Sequence, residues 1–308
     1  MNKIALSAGN LTKIYSKNNS LDKSVLALNK LNLEVKQGEI FGLLGPNGAG
    51  KTTFINILGG TVIKTSGKVE LWGFDLDNNP RQVRALIGIV PQEVNFDPFF
   101  SPKKLLELQA GFYGVKKENR ITDLILKMVS LEKQANSYTR SLSGGMKRRL
   151  LIAKAMVHQP PILILDEPTA GVDVELRKNL WGNVKELNKL GVTIILTTHY
   201  LYEAQEMCDR IGIINKGNLV ALNTTQNLLE QIETKKIKFK VKNFNNFEKI
   251  KLNNVKFIKD DLEIIAIYNK NKFKFDEIIN IVKKNVEILD VSTEDADLED
   301  VFLEVTNN

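Results

Sequence analysis

A single cysteine, Cys208, occurs in 308 residues. No intramolecular disulfide can form, and nothing indicates an oxidising compartment. The first residues, Met1-Asn2-Lys3-Ile4-Ala5-Leu6, contain no apolar stretch of signal-peptide length. No run of about 18 apolar residues occurs, so no segment reads as a membrane-spanning helix. The expectation is a soluble, cytoplasmic chain whose membrane role, if it has one, comes through a partner. Arginine is missing from residues 235–308, where fourteen lysines balance fourteen acids. The signs are segregated: residues 235–274 hold twelve lysines against four acids, and residues 285–308 hold eight acids and no lysine. This segment reads as a small α+β domain spanning 235–308. Its lysines read as the solvated face of the strands, with a regulatory or partner-binding surface as the alternative.

What is present sets other bounds. The length predicts about two domains, and 43% hydrophobic residues suffice for a sizeable core. The net charge of +7 suits nucleic acid or an anionic surface. Heavy use of Lys and Asn makes it weak grounds for either.

The chain is organised around Gly45-Pro46-Asn47-Gly48-Ala49-Gly50-Lys51-Thr52-Thr53. This matches the phosphate-binding pattern G-x-x-x-x-G-K-[ST]. Before it, Glu39 to Leu44 reads as a short buried strand; after it, Thr52 to Leu58 reads as a helix. Three glycines let the backbone curl so that several N–H groups converge on one phosphate chain. The helix N-terminus adds partial positive charge there. Lys51 reaches the outer phosphates, and the Thr52 hydroxyl is placed for a magnesium ion. A Gly-rich surface turn is the competing reading, and the Lys-Thr after Gly50 argues against it.

Elsewhere, residues 4 to 7 read as a first strand, closely followed by Tyr15, and Ser16 to Ser24 reads as a polar loop. Apolar alternation from Val25 to Val35 predicts a strand. From Ser101 to Val157 the periodicity turns helical and reads as an inserted subdomain. Ile162 to Leu165 is a fully apolar strand ending at Asp166-Glu167, at the sheet edge where open α/β folds bind ligands. Asp166 is placed for a magnesium shell, and Glu167 to polarise a water. Thr193 to Leu196 is a second such strand, ending at Thr197-Thr198-His199. Helices alternating with buried strands predict a parallel sheet with helices packed on it. In Leu142-Ser143-Gly144-Gly145-Met146-Lys147-Arg148-Arg149, the residues Ser143, Gly144 and Gly145 open a helix and form a second anion site. One chain does not need two γ-phosphate sites; a head-to-tail dimer does.

With these motifs in order, residues 1 to about 230 resemble the ATP-binding subunit of ABC transporters. The resemblance implies a P-loop NTPase fold of the ABC ATPase type: a mixed sheet core, an antiparallel β subdomain and the inserted helical subdomain at about 101–157. The nucleotide-binding domain would be 1–234. It implies that Tyr15 stacks on adenine and that Gln92 senses Mg2+ and γ-phosphate. Asp173 would reach across the dimer, and His199 would contact the γ-phosphate. Glu167, His199 and Gln92 are then the catalytic candidates. Thr52, Gln92 and Asp166 are the metal candidates, and ATP and Mg2+ the cofactors. Met146 and Ala170-Gly171-Val172-Asp173 depart from the commoner family pattern, and Leu142 to Arg149, Thr169 to Arg177 and the ending Leu298-Glu299-Asp300-Val301-Phe302 are similar to ATPases of ABC-2-type exporters. That implies a separate ABC-2-type membrane permease, a second ATPase subunit in a homodimer, and a position at the inner face of the cell membrane. Phe96, Pro98, Phe99, Phe100, Phe112 and Tyr113 form a candidate aromatic surface for the permease. Nucleic acid is not an expected partner. The alternative is a soluble ABC ATPase acting on ribosome or nucleic acid.

Overall fold

The computed structural model describes residues 3–17, 20–170, 174–294 and 297–307. The chain divides into two compact units, Met1–Asn223 and Thr224–Asn308.

In the first unit, strands β1 (Ile4–Lys17) and β2 (Ser20–Lys36) form a long antiparallel hairpin. Then follow β3 (Ile40–Leu44), α1 (Lys51–Leu58), β4 (Ser66–Leu71), β5 (Phe74–Asp75), α2 (Pro80–Ala85) and β6 (Ile87–Val90). The helical stretch supplies α3 (Pro102–Phe112), α4 (Thr122–Met128) and α5 (Gly144–Met156). The unit closes with β7 (Ile162–Asp166), α6 (Val174–Lys189), β8 (Thr193–Thr197), α7 (Leu201–Met207), β9 (Arg210–Asn215) and β10 (Asn218–Thr224). One sheet has the order β2-β1-β4-β5, and its neighbouring strands are antiparallel. The other is six-stranded, β10-β9-β3-β8-β7-β6, with parallel pairs between β9 and β6.

Helix α1 lies between the two sheets. Its Phe54, Ile57 and Leu58 share one core cluster with Leu6, Leu28 and Leu33 on one side and Ile162, Ile164 and Ile195 on the other. Burying Phe54 alone stabilises by about 1.5–3 kcal/mol, so the phosphate-loop helix is anchored from both sides. Proline and a side-chain cap start α3, where the Ser101 hydroxyl accepts from the Lys104 N–H. Ser143 caps α5 in the same way, its hydroxyl accepting from the Met146 N–H at 3.3 Å.

Two expectations need correction. Ser16 to Ser24 is not wholly loop: β1 runs on to Lys17 and β2 begins at Ser20. Tyr15 therefore lies within β1, paired with Val25. The domain boundary also falls earlier than 234. Thr224 caps helix α8 (Thr225–Gln231), accepting from the Asn227 N–H, and α8 packs with the second unit.

The second unit continues with β11 (Thr234–Val241), β12 (Lys256–Asp260), β13 (Glu263–Asn269), α9 (Phe275–Asn285), β14 (Ile288–Glu294) and α10 (Leu298–Asn307). Its antiparallel sheet has the order β12-β13-β11-β14. Ile278 and Val282 of α9 pack on Ile237, Phe239, Ile264 and Ala266. The other face of β11 carries Lys236 and Lys238, which pair with Asp300 at 3.0 Å and Glu294 at 2.5 Å. Lys242 pairs with Glu287 at 3.0 Å. Basic and acidic runs that are apart in sequence thus meet in space, which favours the solvated-face reading of these lysines. No helix among the described residues is long and apolar enough to cross a membrane.

Candidate functional site

Strand register brings the motifs to one edge. Leu43 pairs with Thr197, and Thr197 with Asp166. Val90 pairs with Leu165. These strands run parallel, so their carboxyl ends deliver the loop from Gly45, Gln92, Asp166-Glu167 and His199 to the same rim.

The phosphate loop is shaped by its glycines at two positions. Gly50 has φ 116°, and a Cβ there would meet the Ala27 carbonyl oxygen at 2.5 Å and Leu28 Cδ2 at 2.8 Å. At Gly45 a Cβ would meet the Ile214 carbonyl oxygen at 2.2 Å. The loop is thus pressed between the β1–β2 hairpin and the end of β9. Lys51 is 6% exposed, and its ammonium donates to the Gly45 and Pro46 carbonyls at 2.6 and 3.1 Å. Burial lowers its pKa below the ordinary lysine value, while the nearby Glu167 and Asp166 carboxylates oppose that shift. The first turn of α1 holds no acidic residue, so its N–H groups and positive dipole end stay available for an anion. Thr52 and residues Pro46 to Gly48 are exposed beside it.

Asp166 and Glu167 serve different surroundings. The Thr197 hydroxyl donates to Asp166 Oδ1 at 2.5 Å. Burial pushes the Asp166 carboxyl above its usual range; the Thr197 bond and Lys51 oppose the shift, and Glu167 adds to it. A cation beside Asp166 would offset that cost. Glu167 adopts the left-handed region, φ 45°, which turns its side chain away from the strand. Its N–H donates to the Thr197 carbonyl at 3.0 Å. Its Oε2 accepts from Gln92 Nε2 at 3.0 Å and lies 3.2 Å from His199 Nδ1. Two of the expected catalytic candidates, Gln92 and His199, therefore converge on one carboxylate oxygen of the third, Glu167. Among the described residues no three His, Cys, Asp or Glu side chains cluster as a metal site. A magnesium ion fits instead as one held by Asp166, the Thr52 hydroxyl and a ligand's own phosphates.

The remaining candidates are placed as follows. Tyr15 is exposed on the hairpin that overlies Gly50, with Lys13 Nζ 4.7 Å above its ring. Ser143, Gly144 and Gly145 open α5, and no hydrogen bond joins this turn to its own phosphate loop among the described residues. Asp173 lies outside the described residues. Phe99 and Phe112 are 66% and 84% exposed, so neither packs in the core. Phe96 is half-buried.

Two residues that lie inside the quoted motifs without an assigned role complete the site. Thr197 orients both Asp166 and Glu167. Arg148, 4% exposed, donates to the Pro91 and Gln92 carbonyls at 3.0 and 2.7 Å, and to the Glu167 carbonyl at 3.4 Å. Their partners lie far off in the chain, and spacing alone does not reveal them.

A sequence profile described as ABC transporter matches residues 28–170. The linearmycin resistance ATP-binding protein of Bacillus subtilis (strain 168) is 32% identical over 312 residues, covering 98% of both chains. A Nod factor export ATP-binding protein I of Cupriavidus pinatubonensis is 39% identical over 208 residues, 67% of this chain and 64% of that one. Among solved structures, a dimeric post-hydrolysis ATP-binding cassette bound to ADP and phosphate superposes with TM-score 0.63 at 29% identity. It covers 71% of this chain and 98% of that one. An ABC transporter ATP-binding subunit gives TM-score 0.64 at 27% identity, covering 74% of this chain and 92% of that one.

Proposed function

The chain belongs to the ABC transporter family of ATPases, and from that premise we propose that it powers an ABC-2-type exporter as a homodimer beneath a membrane permease. The observation that carries the catalytic part is the convergence of Gln92 and His199 on one oxygen of Glu167, beside Asp166. In this reading Lys51 and the loop amides bind and neutralise the phosphates, and phosphoryl transfer is accelerated by positioning and charge stabilisation. Thr52, Asp166 and Gln92 would hold Mg2+, which would supply neutralisation of phosphate charge there. Glu167 orients the attacking water and takes its proton, and His199 holds the Glu167 carboxylate and faces the γ-phosphate. Tyr15 takes the adenine ring on its exposed side. Ser143 to Gly145 cap the nucleotide of the opposite subunit, and Asp173 crosses the same interface. The two anion sites of one chain then each serve half of a two-ATP sandwich.

The exporter part draws on the relatives whose names refer to resistance and export. The permease-facing surface is the exposed aromatic set around Phe99, Phe112 and Tyr113. A ribosome- or nucleic-acid-bound ATPase rests on net charge alone. The deciding experiment is a pull-down of tagged Glu167→Gln protein from detergent-solubilised native membranes with ATP and Mg2+. Recovery of a polytopic membrane protein supports the exporter reading. Recovery of ribosomes or nucleic acid without one would overturn it.

A further inference from the structure

Helix α5 is capped by Ser143 and carries two consecutive arginines one turn further on. They do different things. Arg149 donates to the Val129 and Ser130 carbonyls at 2.8 and 3.1 Å, which ties α5 to the end of α4 inside the helical stretch. Arg148 points about 100° round the helix, toward the sheet edge. Its three carbonyl partners belong to two separate strand ends: Pro91 and Gln92 after β6, and Glu167 after β7.

The environment of Arg148 is unusual for a cation. It is 4% exposed, and among the described residues its hydrogen-bond partners are carbonyls, with no carboxylate. Burial pushes its pKa down, with no opposing charge. A buried charge lacking an ion partner is costly, so a merely structural link between these segments is more cheaply made with neutral groups. A guanidinium has one advantage here. Its planar fork presents several fixed N–H donors, so it clamps two backbone segments at a set separation.

The clamped segments are the ones that aim Gln92 and Glu167. Gln92 donates to Glu167 Oε2 by its side chain, and Arg148 holds both residues by their backbone. Side chain and backbone bonds close a ring through Gln92, Glu167 and α5. The same helix presents Ser143 at its N-cap, about 7.5 Å away along the axis at 1.5 Å per residue.

We propose that Arg148 is a positioning residue for ATP hydrolysis: its guanidinium locks the Gln92 peptide and the Glu167 strand end to α5, so that the water-orienting pair and the Ser143 turn move as one body. Arg148 touches neither nucleotide nor water. It acts through the geometry of Gln92 and Glu167. The proposal rests on the ATPase chemistry and not on the permease or the dimer.

The test uses the full chain with Arg148→Met, which keeps the apolar stem and removes the fork, and Arg148→Lys, which keeps the charge. Steady-state turnover, equilibrium binding of a fluorescent ATP analogue and the melting temperature are measured for each. Arg148→Met is expected to lose about tenfold or more in kcat, with analogue affinity within about twofold, because Lys51 and the loop are untouched. Arg148→Lys recovers part of the loss. A cycle with Gln92→Ala separates positioning from general stability: combined with Arg148→Met, it lowers kcat no further than about twofold below the worse single variant. Unchanged kcat in Arg148→Met overturns the proposal, as do strictly additive losses. Nucleotide affinity and melting temperature falling in step with kcat would also overturn it, since the role would then be structural. If Arg148→Met does not fold, Arg148→Lys and Arg148→Gln must show the same kcat-against-affinity split, and failure to do so overturns it equally.

Discussion

Replacing Thr197 by valine removes one hydroxyl from the centre of the site and leaves its shape. Thr197 is fully buried on β8. Its hydroxyl donates to Asp166 Oδ1 at 2.5 Å and accepts from the Glu167 N–H at 3.2 Å. The Glu167 N–H keeps a second acceptor, the Thr197 carbonyl at 3.0 Å, so the loss concentrates on Asp166. A hydrogen bond to a charged group contributes about 1.5–3 kcal/mol. Asp166 is half-buried, so the lower end applies, about 1.5 kcal/mol. For a domain of this size that lowers the melting temperature by roughly 3–6 °C. Calorimetry without nucleotide measures it, and a double-mutant cycle with Asp166→Ala isolates it. In the Asp166→Ala background, Thr197→Val should cost almost nothing. Thr197→Val should also raise the Mg2+ concentration needed for half-maximal turnover, because the freed carboxylate is no longer aimed. A melting temperature within about 1 °C of wild type, or a coupling near zero in the cycle, would refute the reasoning.

Glu167→Gln keeps an oxygen that accepts from Gln92 and His199 but cannot take a proton; turnover should fall about 10²–10⁴-fold with ATP binding retained, and wild-type phosphate release would sink the assignment. Gly50→Ala drives a Cβ to within 2.5 Å of backbone oxygen and should cost more than about 2 kcal/mol along with nucleotide binding; Gly48→Ala, with no atom within 4 Å, should cost only about 1 kcal/mol of left-handed strain. Differential scanning of the two variants checks the order. His158 stacks on Tyr113 at 3.6 Å, lies 3.0 Å from the Ile87 carbonyl, and burial lowers its pKa. A depressed imidazole pKa favours the native state above the unfolded value of about 6.5 and penalises it as pH falls. Wild type should therefore lose stability below about pH 6.5, by at most about 1.4 kcal/mol per pH unit from this group, and His158→Gln should flatten that slope. Phe112→Ala, at an 84% exposed position, should leave melting and basal turnover unchanged and reduce permease recovery in the pull-down; equal recovery removes Phe112 from the docking surface.

The parts of this site that could be read from sequence are those made by neighbours in the chain. The phosphate loop declares itself because strand, glycines, Lys51 and helix follow within twenty residues. Ser143 declares itself as an N-cap because its partner, the Met146 N–H, is three residues on. Asp166 and His199 could be read because each ends an apolar run whose direction fixes which edge it reaches. The hairpin β1–β2 could not be read to its tip. Near the tip Ile14, Val25 and Leu26 are exposed, so burial imposes no alternation there and Ser16 to Ser24 looks like loop. Strand β14 was hidden for a related reason: it is a sheet edge with most residues exposed, and its acids pointed to charge rather than to pairing.

The other failures share one physical origin. Thr197 meets Asp166 across 31 positions, and Arg148 meets Gln92 across 56. The first exists because the parallel strands β7 and β8 end level with each other, the second because α5 packs against β6, and no local spacing encodes either. The charge pattern of the second unit makes the same point in reverse. Its sequence separates lysines from acids, yet β11 lies beside β14 and under α10, and Lys236 and Lys238 find Asp300 and Glu294 there. Such exposed or half-exposed pairs contribute little each. What they remove is the inference that a basic run in sequence is a basic surface in space. That inference was the support for a regulatory or partner-binding surface within residues 235–308, so any such surface now has to be argued from the lysines beyond these pairs.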